Sequence, residues 1–140
     1  MNASPLSYWL ASAPPFMGGA KGGVEGSADI AIIGGGFTGL SAALALAKRG
    51  ASIVLLEAGK VVGEASGRNG GQCNNGTAHD YGALSARFGK PVAKAWYRAH
   101  CDAVDTVERL AREEGIACNF TRCGRVKLAA KPKHYDKLAR

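Results

Sequence analysis

A chain of 140 residues with 46% hydrophobic and 21% charged side chains has ordinary globular composition, which excludes a disordered, fibrous or collagen-like protein. The net charge is +7, but the basic residues lie mostly in mixed-sign runs such as "TVERLAREEG" or scattered near the C-terminus, and not in an aromatic-interleaved basic stripe. This indicates a solvated face with at most a pull on acidic or phosphorylated ligands, and no nucleic-acid partner. The 20 glycines are the compositional outlier. They cluster at 18–26, 34–39 and 63–76 without a fixed period, the pattern of a linker and two functional loops.

The opening "MNASPLSYWLASAPPF" has no basic leader, and its apolar run is short and broken by prolines, so a secretory signal is not expected. Tyr8, Trp9 and Phe16 are too apolar for a free tail and predict an arm that packs on the folded protein. Residues 17–27, "MGGAKGGVEGS", have little to bury and read as a flexible connector. "ADIAII" is a short apolar run suited to a parallel strand buried on both faces. The segment from Phe37 to Arg49 carries Leu40, Leu44 and Ala47 at helical spacing and stops at Gly50, with Lys48 and Arg49 at the end where the helix dipole favours cations. "ASIVLLE" predicts a second strand. Strand, glycine turn, helix and strand form a βαβ unit.

The glycine-rich stretch 63–76, "GEASGRNGGQCNNG", is too polar and too glycine-rich for a helix or strand, and too long for a simple connection. From Tyr81 to Glu114 the apolar positions recur at helical spacing, interrupted at Gly89-Lys90-Pro91 and ended by Gly115. "ACNFTRCGRVKLAA" predicts a hairpin or two short strands around Gly124. A further helix begins after Pro132 and runs into the end of the sequence.

The four cysteines, Cys73, Cys101, Cys118 and Cys123, have neither zinc-site spacing nor a partnering histidine pair. They read as free thiols of a reducing cytoplasm, with no metal. No apolar run reaches the length of about 18 residues that a membrane span needs. His79 beside Asp80 reads as a solvent-exposed loop histidine, and His100 and His134 as helix-surface residues, so no acid or base is assigned.

Chemistry concentrates at Gly34-x-Gly36-x-x-Gly39. Gly34 permits a tight turn, Gly36 lets a diphosphate approach bare backbone, and Gly39 lets the helix pack closely on the strand. The N–H groups of Gly36, Phe37 and Thr38, at the positive end of the helix, suit phosphate oxygens. Glu57 closes the second strand eighteen residues after Gly39, where a carboxylate can accept both hydroxyls of an adenosine ribose and would repel a 2′-phosphate. This pattern does not separate NAD from FAD. In the following loop Ser66, Arg68 and Asn69 offer donors for a diphosphate, while Gly70 and Gly71 allow backbone close to a flat ring.

"IIGGGFTGLSAALALAKRG", "IVLLEAG" and "EASGRNGGQ" together resemble the N-terminal part of the FAD-dependent amine and amino-acid oxidases of the D-amino-acid oxidase superfamily. With "SYW" upstream and "FTRCGRVKLAA" downstream, the likeness is nearest to gamma-glutamylputrescine oxidoreductase-like flavoproteins. The resemblance implies FAD as cofactor and a small-molecule amine as substrate. It also implies hydride transfer from the carbon beside the amine nitrogen to flavin N5, followed by imine hydrolysis and reoxidation by oxygen. It assigns Gly34, Gly36 and Gly39 to the FAD diphosphate, Glu57 to the ribose, and Ser66 to Gln72 to the diphosphate and flavin region.

The expected architecture is α/β: an arm and linker over 1–27, a Rossmann-like FAD-binding βαβ unit with its flavin loop over 28–80, and helices with the first strands of a substrate domain over 81–140. Members of the family are much longer, so the chain is expected to be a fragment, inactive by itself. The alternatives are an NAD-dependent dehydrogenase and a non-catalytic nucleotide-binding module.

Overall fold

The computed structural model describes residues 7–76 and 79–138. The chain divides into two compact units, one ending at Gly71 and the other beginning at Gln72.

The first unit is built on two parallel strands, β1 (Ile30–Ile33) and β2 (Ile53–Leu56), joined through helix α2 (Phe37–Ala47). Ile30 lies opposite Ile53 and Ile33 opposite Leu56. Beyond the ladder, the Gly34 N–H donates to the Leu56 carbonyl at 2.8 Å and the Asp29 N–H to the Ser52 carbonyl at 3.0 Å. The Asp29 carboxylate also accepts from the Ser52 N–H at 2.8 Å. The pairing is thus tied at both ends, and it sets Gly34 level with the residue before Glu57.

Helix α2 ends as its sequence dictates. Gly50, at φ +88°, donates to the Ala47 carbonyl, and the Ala51 N–H reaches back to Leu46 at 3.2 Å. A glycine in left-handed backbone so closes the last carbonyls.

The expectation of a strand buried on both faces is not met. Ile33 is 88% exposed, and among the described residues β1 has a partner on one edge alone. One helix and one neighbouring strand leave the rest of this apolar surface uncovered. The buried positions of the described first unit are instead three glycines, Gly35, Gly63 and Gly67. Its closest backbone approaches lie within the two glycine turns, at Gly39 against Gly34 and at Gly67 against Val62.

A short helix, α1 (Tyr8–Ser12), precedes β1, with Ser7 as its N-cap accepting from the Leu10 N–H. The segment from Ala13 to Ala28 is exposed and without regular structure, as expected of its glycine content.

The second unit pairs helix α3 (Tyr81–Phe88) with the long helix α4 (Lys90–Glu113) around Leu84 and Ala93, the two buried apolar side chains of the described chain. Asp80 caps α3 by accepting from the Ala83 N–H at 2.7 Å. Gly89, at φ +83°, turns the chain so that Pro91 falls in the first turn of α4, where a missing N–H costs nothing. A final helix, α5, spans Pro132–Leu138.

The hairpin expected in 117–130 is absent: no described residue there is in a strand. Its β-favouring side chains have no ladder to join, Val126 and Leu128 being more than 80% exposed. Arg122 instead ties the segment to α4, donating to the Asp105 carboxylate and, at 2.7 Å, to that of Glu108. No described helix is long and apolar enough to cross a membrane.

Candidate dinucleotide site

The first-unit site grows out of the turn between β1 and α2. Gly34 adopts φ +101°, a conformation that any side chain would strain. A Cβ on Gly39 would lie 1.9 Å from the Gly34 carbonyl oxygen and 3.4 Å from the Ile32 side chain, so the close approach of helix to strand requires glycine there. Gly36 precedes the helix with no side-chain cap. The Phe37 N–H is met by the Ser66 hydroxyl at 3.0 Å, which reaches in from the second loop. Thr38 follows in the exposed first turn.

Glu57 lies against this turn. One carboxylate oxygen accepts from the Gly35 N–H at 2.7 Å and the other from the Gly59 N–H at 2.8 Å. These two backbone hydrogen bonds, that from Gly35 the stronger influence, hold its pKa below the ordinary carboxylate value against a small opposing effect of desolvation. The group therefore stays charged at neutral pH. Each oxygen keeps a further lone-pair direction for another donor.

Gly35, Gly36, Glu57, Lys60, Val62, Gly63, Glu64, Ala65 and Ser66 line a cavity of about 180 Å³. This is smaller than the range of about 300–1,000 Å³ usual for drug-sized ligands and suits one part of a dinucleotide, not the whole. Side chains are disfavoured on this wall: a Cβ on Gly36 would reach within 3.0 Å of the Ser66 hydroxyl, and one on Gly35 within 3.2 Å of the Glu57 carboxylate. A larger cavity of about 310 Å³ lies in the second unit between Tyr81, Lys94, Tyr97, Arg98, Cys101 and Asp102. It holds none of the glycine backbone that phosphate recognition needs.

The second loop is folded on itself by its own polar groups. Arg68 donates through Nε to the Gly63 carbonyl at 3.1 Å, and the Asn69 side chain both donates to the Ser66 carbonyl and accepts from the Gly71 N–H. Two residues expected to face a diphosphate thus hold loop carbonyls and amides. The Val62 N–H joins the loop to the first turn by donating to the Gly35 carbonyl at 3.0 Å. Val62 itself adopts φ +58°, an outlier for a β-branched residue. Nothing lies within 4 Å of a Cβ built on Gly70, whereas at Gly71 it would meet the Trp9 indole at 2.3 Å. The Trp9 indole of the N-terminal arm thus lies against Gly71.

The described structure thus gathers Gly34, Gly36, Phe37, Gly39, Glu57 and Ser66 at one cavity and its rim, with Arg68, Asn69, Gly70 and Gly71 in the adjoining loop. Gln72 opens the second unit. Sequence reasoning missed Gly35 and Gly59, whose N–H groups fix Glu57, and Lys60, which lines the cavity. The middle position in the run of three glycines, 34–36, was the available sign for Gly35. His100 lies on α4, its ring stacked on Trp96 with a centroid separation of 5.8 Å. The described residues contain no group of three or more histidine, cysteine or acidic side chains placed to hold a metal.

Comparison with known proteins gives this geometry its context. Residues 29–140 match the family described as FAD dependent oxidoreductase. A probable oxidoreductase OrdL of Haemophilus influenzae is 33% identical over 111 residues, covering 79% of this chain and 26% of that protein. The gamma-glutamylputrescine oxidoreductase of Escherichia coli is 32% identical over 120 residues, covering 86% of this chain and 28% of its own length. A probable oxidoreductase OrdL of Rhizobium meliloti is 48% identical over 62 residues, 44% of this chain and 13% of that protein. The chain thus spans about a quarter of the first two relatives. No solved structure matches it. With the family matched from Asp29 through the glycine turn, Glu57 and the second loop to the last residue, the chain belongs to the FAD dependent oxidoreductases.

Proposed function

We infer that this chain is the FAD-binding part of a flavin-dependent oxidoreductase acting on an amine or amino-acid-like small molecule, of the kind named in its gamma-glutamylputrescine-oxidising relative. The observation that carries the reading is the convergence of Glu57 and the bare turn at Gly35–Gly36 on one cavity. A lone glycine triplet could serve any α/β turn. A charged carboxylate held against it, with lone pairs to spare, has the chemistry to grip a sugar beside a diphosphate.

In this reading β1, α2 and β2 form a Rossmann-like unit within 28–80, preceded by an arm and linker over 1–27 and followed by a helical segment over 81–140 that begins a substrate domain. The N–H groups of Gly36 and Thr38 bind phosphate oxygens directly, and that of Phe37 acts through the Ser66 hydroxyl, to which it donates. Ser66, which accepts from the Phe37 N–H, still has its own proton to donate to the diphosphate. Glu57 accepts the ribose hydroxyls. Arg68, Asn69, Gly70, Gly71 and Gln72 shape the approach toward the flavin. Bound FAD supplies a hydride acceptor, with oxygen as the final oxidant. No side chain of this chain is assigned as acid or base. Four free cysteines support a reducing, cytoplasmic setting.

The test is to purify the full protein and examine it for flavin. A yellow protein that releases FAD on denaturation, and forms peroxide with members of an amine panel, fits the proposal. A colourless protein that retains NAD would replace it with a nicotinamide dehydrogenase.

A further inference from the structure

Helix α1 has five residues, too few to persist alone in water, and an exposed glycine-rich connector separates it from β1. Something must hold it, and its described contacts outside the arm reach the second glycine loop. The Ser7 hydroxyl donates to the Gly67 carbonyl. The Trp9 indole N–H donates to the Asn69 carbonyl at 2.7 Å. The Leu10 side chain lies 3.4 Å from where a Cβ on Gly67 would sit, and the Trp9 ring occupies the space above Gly71.

The same short loop carries Ser66, whose hydroxyl meets the Phe37 N–H at the helix start. Asn69 cross-links it from within, through Ser66 and Gly71. Gly67 has no room for a side chain: a Cβ there would come within 2.0 Å of the Val62 carbonyl oxygen and 3.4 Å of the Leu10 side chain. Arm and loop therefore order each other. Two loop carbonyls are bonded, one glycine is roofed by an indole, and Ser66 is held at the site by a turn that otherwise rests on Asn69 and Arg68.

The geometry points to Trp9, assisted by Ser7, as a positioning residue: the N-terminal arm is a strap that fixes the 66–71 loop, and through Ser66 the phosphate side of the dinucleotide site. The functional consequence rests on the FAD-binding reading. The strap itself does not.

The experiment is amide hydrogen exchange on the full protein without added FAD, followed by FAD titration read from flavin fluorescence, for wild type, Trp9→Ala, Trp9→Phe and Ser7→Ala. Trp9→Ala is expected to raise exchange across 66–71 while leaving 82–113 unchanged, and to weaken FAD about tenfold, the loss expected for one hydrogen bond and one ring contact. Trp9→Phe keeps a ring but not the N–H, so it should fall between, as a conservative partial rescue. Unchanged exchange across 66–71 in Trp9→Ala overturns the strap. Raised exchange with unaltered FAD affinity overturns its positioning role. Should wild type fail to bind FAD, the functional reading falls while the exchange data still decide the strap. If Trp9→Ala does not fold, Trp9→Phe and Ser7→Ala carry the same comparison.

Discussion

Glu57 shows how much one residue's chemistry depends on its neighbours. Its place at the end of a strand, after a glycine turn, was readable from spacing. Its two backbone partners were not, because they depend on the path the chain takes through Gly35 and Gly59. Those bonds lower its pKa, and the sign of the consequence follows. A carboxylate with a depressed folded pKa contributes stability fully above its unfolded pKa, about 4.3, and loses it as pH falls through the lower folded value. Thermal unfolding of wild type compared with Glu57→Gln should therefore give a constant difference from neutral pH down to the ordinary carboxylate range, and a shrinking one below it. A difference that grows on acidification would contradict these contacts. Gly39 makes a sharper prediction. Gly39→Ala gains up to about 1 kcal/mol of helix propensity, but a Cβ 1.9 Å from the Gly34 carbonyl cannot be accommodated by any side-chain motion. Overpacking of this kind costs up to about 3 kcal/mol, so denaturant unfolding should show net destabilisation.

At the level of elements, periodicity served the helices well and the later strands poorly. The break at Gly89 and the stop at Gly115 appear where turn chemistry puts them, since such signals are local. The 117–130 segment has strand-like residues without a strand, because a ladder requires a neighbouring edge that sequence pattern alone does not supply. Arg122 does part of the anchoring that a ladder would have done. Its guanidinium pKa is raised by hydrogen bonds to Asp105 and then Glu108, yet all three side chains are 40% or more exposed. Exposed pairs of this kind contribute little to stability. Arg122→Ala should therefore leave the unfolding midpoint nearly unchanged while speeding tryptic cleavage at Arg125 and Lys127. Unaltered cleavage would show that the segment is held by something else. The arm gave a weaker sign: of the three aromatic residues expected to pack, Tyr8 and Phe16 stay more than 60% exposed while Trp9 donates to Asn69, and nothing in the sequence named a loop sixty residues away as its partner.

For the molecule as a whole, the two units carry different kinds of packing. The second is a helix pair around Leu84 and Ala93, while the first is densest at glycine backbone and leaves apolar side chains such as Ile33 and Phe37 exposed. A site whose closest contacts lie at glycine backbone depends on each glycine and each polar bond within it, which is why its outline was legible as a motif and its bonding was not. The chain spans about a quarter of its relatives, so the measurement belongs in the full protein. The direct one is an equilibrium titration with FAD, wild type beside Glu57→Ala. The account predicts that wild type binds one FAD per chain and that loss of the carboxylate weakens binding at least tenfold, about 1.4 kcal/mol. Equal affinity in the two proteins would contradict it.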